Sequence, residues 1–274
     1  VDIERKFKAN SPDSLICNTL ILEHLHPNAR GYFLIAKEYT GMMRERKLIV
    51  KADNEWKLLD ALDDERLWDE RPLTELDERC AQRRTELLKA GWPFRSESVT
   101  VPDVNLKDTV GVIAEQLVRG FITWEQAHVT AAEHYTRSGN FAKLEREYKA
   151  IINQIPYNVS AYLLLAQVYL QQYKNLEAAA ILVRSLDVEK TLVAYRALGM
   201  LALDADVAVE FFRSALEFSI SRREKAEVGY LLAEAYLRGN EKEKAVSQLH
   251  TVLSIEPQFA PAVRLLARIN PVNP

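Results

Sequence analysis

Residues 159–171 read VSAYLLLAQVYLQ, and residues 226–238 read AEVGYLLAEAYLR. In both, apolar residues recur every three or four positions, the spacing that places them on one side of an α-helix. Leu165-Ala166 followed by Tyr169 in the first stretch matches Leu232-Ala233 followed by Tyr236 in the second. Further out, the same run is seen as Ala131-Ala132 before Tyr135 and, with a smaller last member, as Leu198-Gly199 before Ala202. Segments 125–158, 159–192, 192–221 and 226–259 therefore align with a period of about 34 residues.

A second helical run follows each first one in register: Leu144, Tyr148 and Ile151; Ala178, Leu182 and Ser185; Ala208, Phe212 and Ala215; Ala245, Leu249 and Val252. Pro156 and Pro257 close the first and last of these, because proline lacks the N–H that would continue a helix. The small residue in each first helix lets its hairpin partner approach, and the aromatic three residues later fills the space between hairpins. A single hairpin cannot bury its apolar face alone, so the pattern predicts a stack. Tyr135, Tyr148, Tyr169, Phe212 and Tyr236 are expected in the core, with His128 as an interior histidine at a packing position. His134 and His250 have no partner at metal-ligand spacing. The turn at Asp204-Ala205-Asp206 is about three residues short, which predicts an altered third hairpin. Residues 108–120 and 260–270 read as capping helices.

The four registered copies resemble the tetratricopeptide repeat (TPR) family over roughly 145 residues. The resemblance implies a protein or peptide partner held in a superhelical groove lined by the first helices, at their second, fifth, ninth, twelfth and thirteenth positions. Carried onto this sequence, these give Gln126, Val129, Glu133, Thr136 and Arg137, then Ser160, Leu163, Gln167, Leu170 and Gln171. The third and fourth repeats give Val193, Arg196, Met200, Leu203 and Asp204, then Glu227, Tyr230, Glu234, Leu237 and Arg238. The candidate partner-binding residues are Arg137, Gln167, Arg196, Tyr230, Glu234 and Arg238, where the arginines and Tyr230 are of the types most often found as interface anchors. Val129 and Glu133 stand where some relatives place the Lys and Asn that clamp a C-terminal carboxylate, so binding of that kind is not expected. Tandem helical repeats also pair with their own copies, which makes self-association a second possibility for the partner.

Nearer the N-terminus, residues 22–36 read LEHLHPNARGYFLIA. This string resembles the last block of SGNH (GDSL-type) hydrolases, in which an acid three residues before a histidine is followed by Pro-Asn and a helix opened by Gly-Tyr. The resemblance implies that His26 is the general base for a serine nucleophile and that Glu23, here in place of the commoner Asp, is the acid that orients it. His24 competes for the role but lacks the proline context. Pro27 and Asn28 end the loop and cap a helix from about Asn28 to Arg46, on which Tyr32, Ile35, Ala36, Tyr39 and Met43 are expected to bury one face. Ser11 and Ser14 precede Glu23 without any glycine, so neither has the Gly-Asp-Ser context that the resemblance calls for. This chain alone is therefore expected to be inactive as an esterase. With Val1 at its start, it reads as the C-terminal part of a larger protein.

Between the two regions, Thr74 and Asp77 mark a helix start, Leu76, Cys80, Leu87 and Leu88 follow at helical spacing, and Gly91 is a stop. Residues 97–103 read as a short extended connector. The charge runs of this region, such as residues 60–66, read as solvated faces.

The fold class is mainly α: a TPR α-solenoid of about four hairpins, preceded by a helical linker and a small α/β-derived segment. The expected boundaries are 1–49 for the hydrolase-like fragment, 50–108 for the linker and 109–274 for the repeats with their caps. A net charge of −3 gives no electrostatic reason to bind nucleic acid. No GxGxxG or GxxxxGK[ST] motif is present, Cys17 and Cys80 are the only cysteines, and no apolar run is long enough for a membrane span. No cofactor, metal or membrane span is expected, and Cys17 and Cys80 are either two free thiols or one bridge. Two functions remain: an interaction scaffold, or an SGNH-type esterase with a TPR docking tail whose serine lies outside this chain.

Overall fold

The computed structural model describes residues 1–23, 25–48, 53–61 and 63–269. His24, Leu62 and Asn270 lie outside the described residues. Among the described residues the regular structure is helical, and the extended pairing consists of one antiparallel bridge between Ile21 and Pro27. The chain divides into two compact units, Val1–Glu147 and Tyr148–Pro274.

The first unit holds α1 (Ile3–Ala9), α2 (Ala29–Glu45), α3 (Asp53–Asp60), α4 (Asp64–Asp69), α5 (Glu75–Lys89), α6 (Thr109–Val118), α7 (Trp124–Ser138) and the first half of α8 (Phe141–Gln154). Helix α5 starts where its sequence predicts: Thr74 accepts from the Asp77 N–H, and the Asp77 carboxylate accepts from the Thr74 N–H. Helix α7 repeats this reciprocal cap with Thr123 and Gln126. Helix α5 is core here and packs on α6, with Leu76 and Cys80 buried on α5 and Val110, Ile113 and Ala114 buried on α6.

The expected apolar stripe on α5 needs correction. Leu88 is half exposed, and the buried third position belongs to Arg83. Positions 76, 80, 83 and 87 lie along one helix face, whereas 88 is about 100° further round. Arg83 tolerates burial because Glu115 on α6 takes its guanidinium through two contacts, at 2.5 and 3.0 Å, and the Pro102 carbonyl accepts a third at 3.0 Å.

The face of α2 expected to be buried is also corrected. Tyr32, Ala36, Tyr39 and Met43 are exposed, and Ile35 is partly covered. The helix instead sets Gly31 inward, pairs Glu38 with Lys6 of α1, and ties Lys37 and Arg44 to Asp64 and Asp60. Ion pairs toward α1, α3 and α4 orient this helix, so its tyrosines face solvent. Cys17 and Cys80 are free thiols, one exposed and one buried.

The second unit continues from α8 through α9 (Val159–Gln171), α10 (Asn175–Val188), α11 (Leu192–Leu201), α12 (Ala205–Glu217), α13 (Arg222–Arg238), α14 (Lys242–Ile255) and α15 (Ala260–Ile269). These are the hairpins read from the repeat, with α15 as the cap. The expected core aromatics are buried, among them Tyr169, Phe212 and Tyr236. Small residues stand where helices approach most closely. A Cβ on Gly199 would lie 2.6 Å from the Phe212 ring, and one on Gly229 would lie 2.8 Å from Val252. The short third turn works because Asp204 both ends it and caps α12, accepting from the Asp206 and Val207 N–H groups at 2.9 and 3.0 Å. Helix α15 closes the stack by burying Ala262 and Leu265 against Ala226, Ala233, Leu249 and Val252.

Candidate functional site

Two places carry the residues singled out by sequence. The first is the loop before α2. Leu22 N–H donates to the His26 carbonyl at 2.8 Å and Asn28 N–H to the Leu20 carbonyl at 2.9 Å, which ties residues 20–22 to residues 26–28. Asn28 caps α2 by accepting from the Gly31 N–H at 3.0 Å, while its side-chain amide holds the Asn18 carbonyl. Gly31 is required at this position, because a Cβ would stand 2.2 Å from the Leu20 carbonyl oxygen. Lys89 of α5 anchors the loop by donating to the Leu22 carbonyl at 2.6 Å.

Within that loop the Glu23 carboxylate accepts from the N–H groups of Leu25 and His26 and contacts His26 Nδ1. The Glu23 side chain is 3% exposed and that of His26 65%. A buried acid thus fixes Nδ1 of an open imidazole, the arrangement that orients a histidine for proton transfer at Nε2. Among the described residues no serine is hydrogen-bonded to His26. Ser11 has a buried hydroxyl with no hydrogen bond, and Ser14 sits in left-handed backbone at φ 58°.

The second place is a surface of the second unit shared by α11, α12, α13 and α15. A cavity of about 540 Å³ there is lined by Gly199, Met200, Phe212, Leu231, Glu234, Ala235, Leu237, Arg238 and Arg268. Glu234 and Arg238 of the sequence-derived set meet in it. Glu234 accepts from the Tyr230 hydroxyl at 2.7 Å; burial and then this bond push the Tyr230 pKa up to about 12. Arg238 donates to the Ala202 carbonyl at 3.1 Å, across the short third turn. Arg196 lies 3.8 Å from Glu227 and does not line the cavity. Gln167 is exposed on α9, outside the cavity lining, and Arg137 lies on α7 of the first unit. Sequence reasoning missed Leu231 and Arg268. The signal for the latter was the pair Arg264 and Arg268, four apart on the capping helix.

A third feature is a buried charge chain. His128 is fully buried, with Nδ1 2.6 Å from Glu147 Oε2 and Nε2 3.5 Å from Asp77 Oδ1, and the Trp124 ring lies 3.9 Å from its ring, tilted by 41°. Burial alone would lower the His128 pKa, but the two carboxylates outweigh it and hold the value up at about 9. The two carboxylates thus favour the protonated imidazole, although its Nε2 forms no hydrogen bond. Beside it, Glu75 of α5 accepts from both Tyr135 and Lys143, at 2.7 and 2.6 Å. These contacts join α5, α7 and α8 and serve the architecture of the first unit. Among the described residues no group of three or more His, Cys, Asp or Glu side chains is placed to hold a metal, and no helix is long and apolar enough to cross a membrane.

Fold and repeat pattern together define a protein of tetratricopeptide-like helical repeats. Residues 144–264 match the model of the tetratricopeptide repeat protein 21 C-terminal ARM domain. Among solved structures, the chain is similar to the MamA protein, at 21% identity over 53% of this chain and 80% of that one, with a TM-score of 0.48. It is also similar to TTC0263, a thermophilic TPR protein of Thermus thermophilus, at 16% identity over 59% and 89% of the two chains, with a TM-score of 0.42. A third similar structure is YrrB, a TPR protein with an unusual peptide-binding site, at 18% identity, 52% and 74% coverage, and a TM-score of 0.44. Among curated proteins, no sequence matches the chain.

Proposed function

We propose that the chain is a protein-interaction scaffold whose second unit takes a peptide segment along the face shared by α11, α12, α13 and α15. The observation that carries this reading is the cavity on that face, where Met200 is 64% exposed. Neighbouring Leu203 is 99% exposed at the third turn. Apolar side chains held open at one rim are what a partner's side chain fills. The test is selection of displayed linear peptides on the purified chain, repeated with Met200→Asp. Enrichment that the substitution abolishes supports the reading; identical enrichment on both proteins refutes it.

A second reading rests on Glu23 and His26: an SGNH-type ester hydrolase in which His26 is the base, Glu23 orients it, and the serine nucleophile comes from outside this chain. The buried carboxylate on Nδ1 of an exposed imidazole favours it. Hydrolysis of a p-nitrophenyl acyl ester by the protein as its native source makes it, lost in His26→Ala, is the expected result. Persistent hydrolysis in that variant removes His26 from the role.

A further inference from the structure

We infer that the cavity of the second unit selects a short segment in which an apolar side chain is flanked by carboxylates. The inference rests on the groove reading above and goes further by naming what the groove takes. The floor is apolar: the Phe212 ring reaches it because Gly199 carries no side chain, and Met200, Leu231 and Leu237 surround it. A leucine- or phenylalanine-sized group fits a floor of this kind and is driven into it by burial of apolar surface.

Charge at the rim decides the flanks. Two arginines line the cavity, and Arg264 stands one turn before Arg268 on the exposed side of α15. The single acidic lining residue, Glu234, accepts from the Tyr230 hydroxyl and keeps its negative charge, so two arginines against one carboxylate leave the lining with a net charge of +1. Arg238 is held by a backbone carbonyl, which neutralises nothing, and Arg268 forms no ion pair among the described residues. The cavity is thus locally cationic in a chain whose net charge is −3. Guanidinium groups bind carboxylates through paired N–H donors, so two of them at an apolar pocket select acid beside apolar. A basic segment meets like charge at the same rim. A polynucleotide has no side chain to fill the floor.

The test uses three fluorescein-labelled octapeptides with a central Leu-Phe pair, flanked on both sides by three Glu/Asp, three Gln/Asn or three Lys residues, titrated by anisotropy against the full chain. The acidic peptide is expected to bind at least tenfold more tightly than the neutral one, and the basic peptide more weakly than either. In the Arg238→Ala/Arg268→Ala double variant the acidic peptide should fall to the neutral level, with the neutral peptide unchanged. Met200→Asp should weaken both. Neutral or basic peptides that bind as well as the acidic one, yet are lost in Met200→Asp, overturn the charge selection and leave the groove reading standing. Binding that Met200→Asp leaves untouched, or no binding by any of the three, overturns both.

Discussion

His128 Nδ1 lies 2.6 Å from Glu147 Oε2 with both side chains sealed from water, so α7 and α8 are joined by a buried ion pair as well as by apolar packing. Removing one member of such a pair leaves the other as an unpaired buried charge, at a cost of about 3–5 kcal/mol, whereas replacing both with apolar groups is often near neutral. Glu147→Ala should therefore destabilise the first unit by about that amount, and His128→Leu/Glu147→Leu by much less. All four tryptophans, Trp56, Trp68, Trp92 and Trp124, lie in this unit, so urea unfolding followed by tryptophan fluorescence reads it selectively. Equal destabilisation in the single and double variants would exclude a dominant ion-pair contribution.

The same contact sets a pH dependence. The folded pKa of His128, about 9, lies above the ordinary value of 6.5, so its contribution is fully present below about pH 6.5 and is lost as pH rises through about 9. The groups facing it are Asp77 from α5, held below its usual range, and Glu147 from α8, pushed above its own by burial. The fluorescence-detected midpoint of the first unit should fall between pH 7 and 9, and the slope should vanish in His128→Leu/Glu147→Leu. Cys17→Ser is the proper background, because hydrogen bonds to Thr19 hold that thiol below its ordinary value.

Arg83 and Glu115 govern the acid limb. The Arg83 guanidinium holds the Glu115 carboxyl at about 2, so this pair's contribution is present above the usual carboxylate range and is lost as pH falls through about 2. Glu115→Gln should lower stability at pH 7 and leave a shallower loss between pH 4.5 and 2 than the parent shows. Parallel curves for the two proteins would contradict the pairing.

Gly199→Ala places a methyl group 2.6 Å from the Phe212 ring. Overpacking of this kind costs about 1–3 kcal/mol, and Phe212→Leu in the same chain should restore part of it. The second unit has no tryptophan, so amide hydrogen exchange along α11 and α12 is the readout.

The repeat half was legible because a helical period names both the buried face and the partner that covers it, namely the next copy. Leu165, Tyr169, Phe212 and Tyr236 are buried for that reason. Capping was equally readable at Asn28 and at Thr74 with Asp77, since it involves residues only three apart. Where the covering partner is distant in sequence, periodicity says nothing about it. Tyr32 and Tyr39 look like a buried face yet stay open, and Arg83 looks like surface yet is buried, because Glu115 stands 32 positions away. His128 was expected inside, but its charge depends on Asp77 and Glu147, on two other helices. At the loop before α2, the short separation made the Glu23–His26 contact foreseeable. In the cavity, Glu234 and Arg238 were foreseeable from repeat position, whereas Arg268 belongs to a capping helix outside the repeat register.

Helices α9 to α15 each pack most closely on those beside them in the chain. A stack built this way needs no distant segments brought together, so little loop-closure entropy opposes its formation, and it can form or fray from either end. Mechanically it resembles a spring of hairpins, in which a partner that stiffens one turn is felt first by the next. A ligand seated in the cavity lined from α11, α12, α13 and α15 would brace the terminal coils, so occupancy should register as lengthened lifetime of the C-terminal end under load.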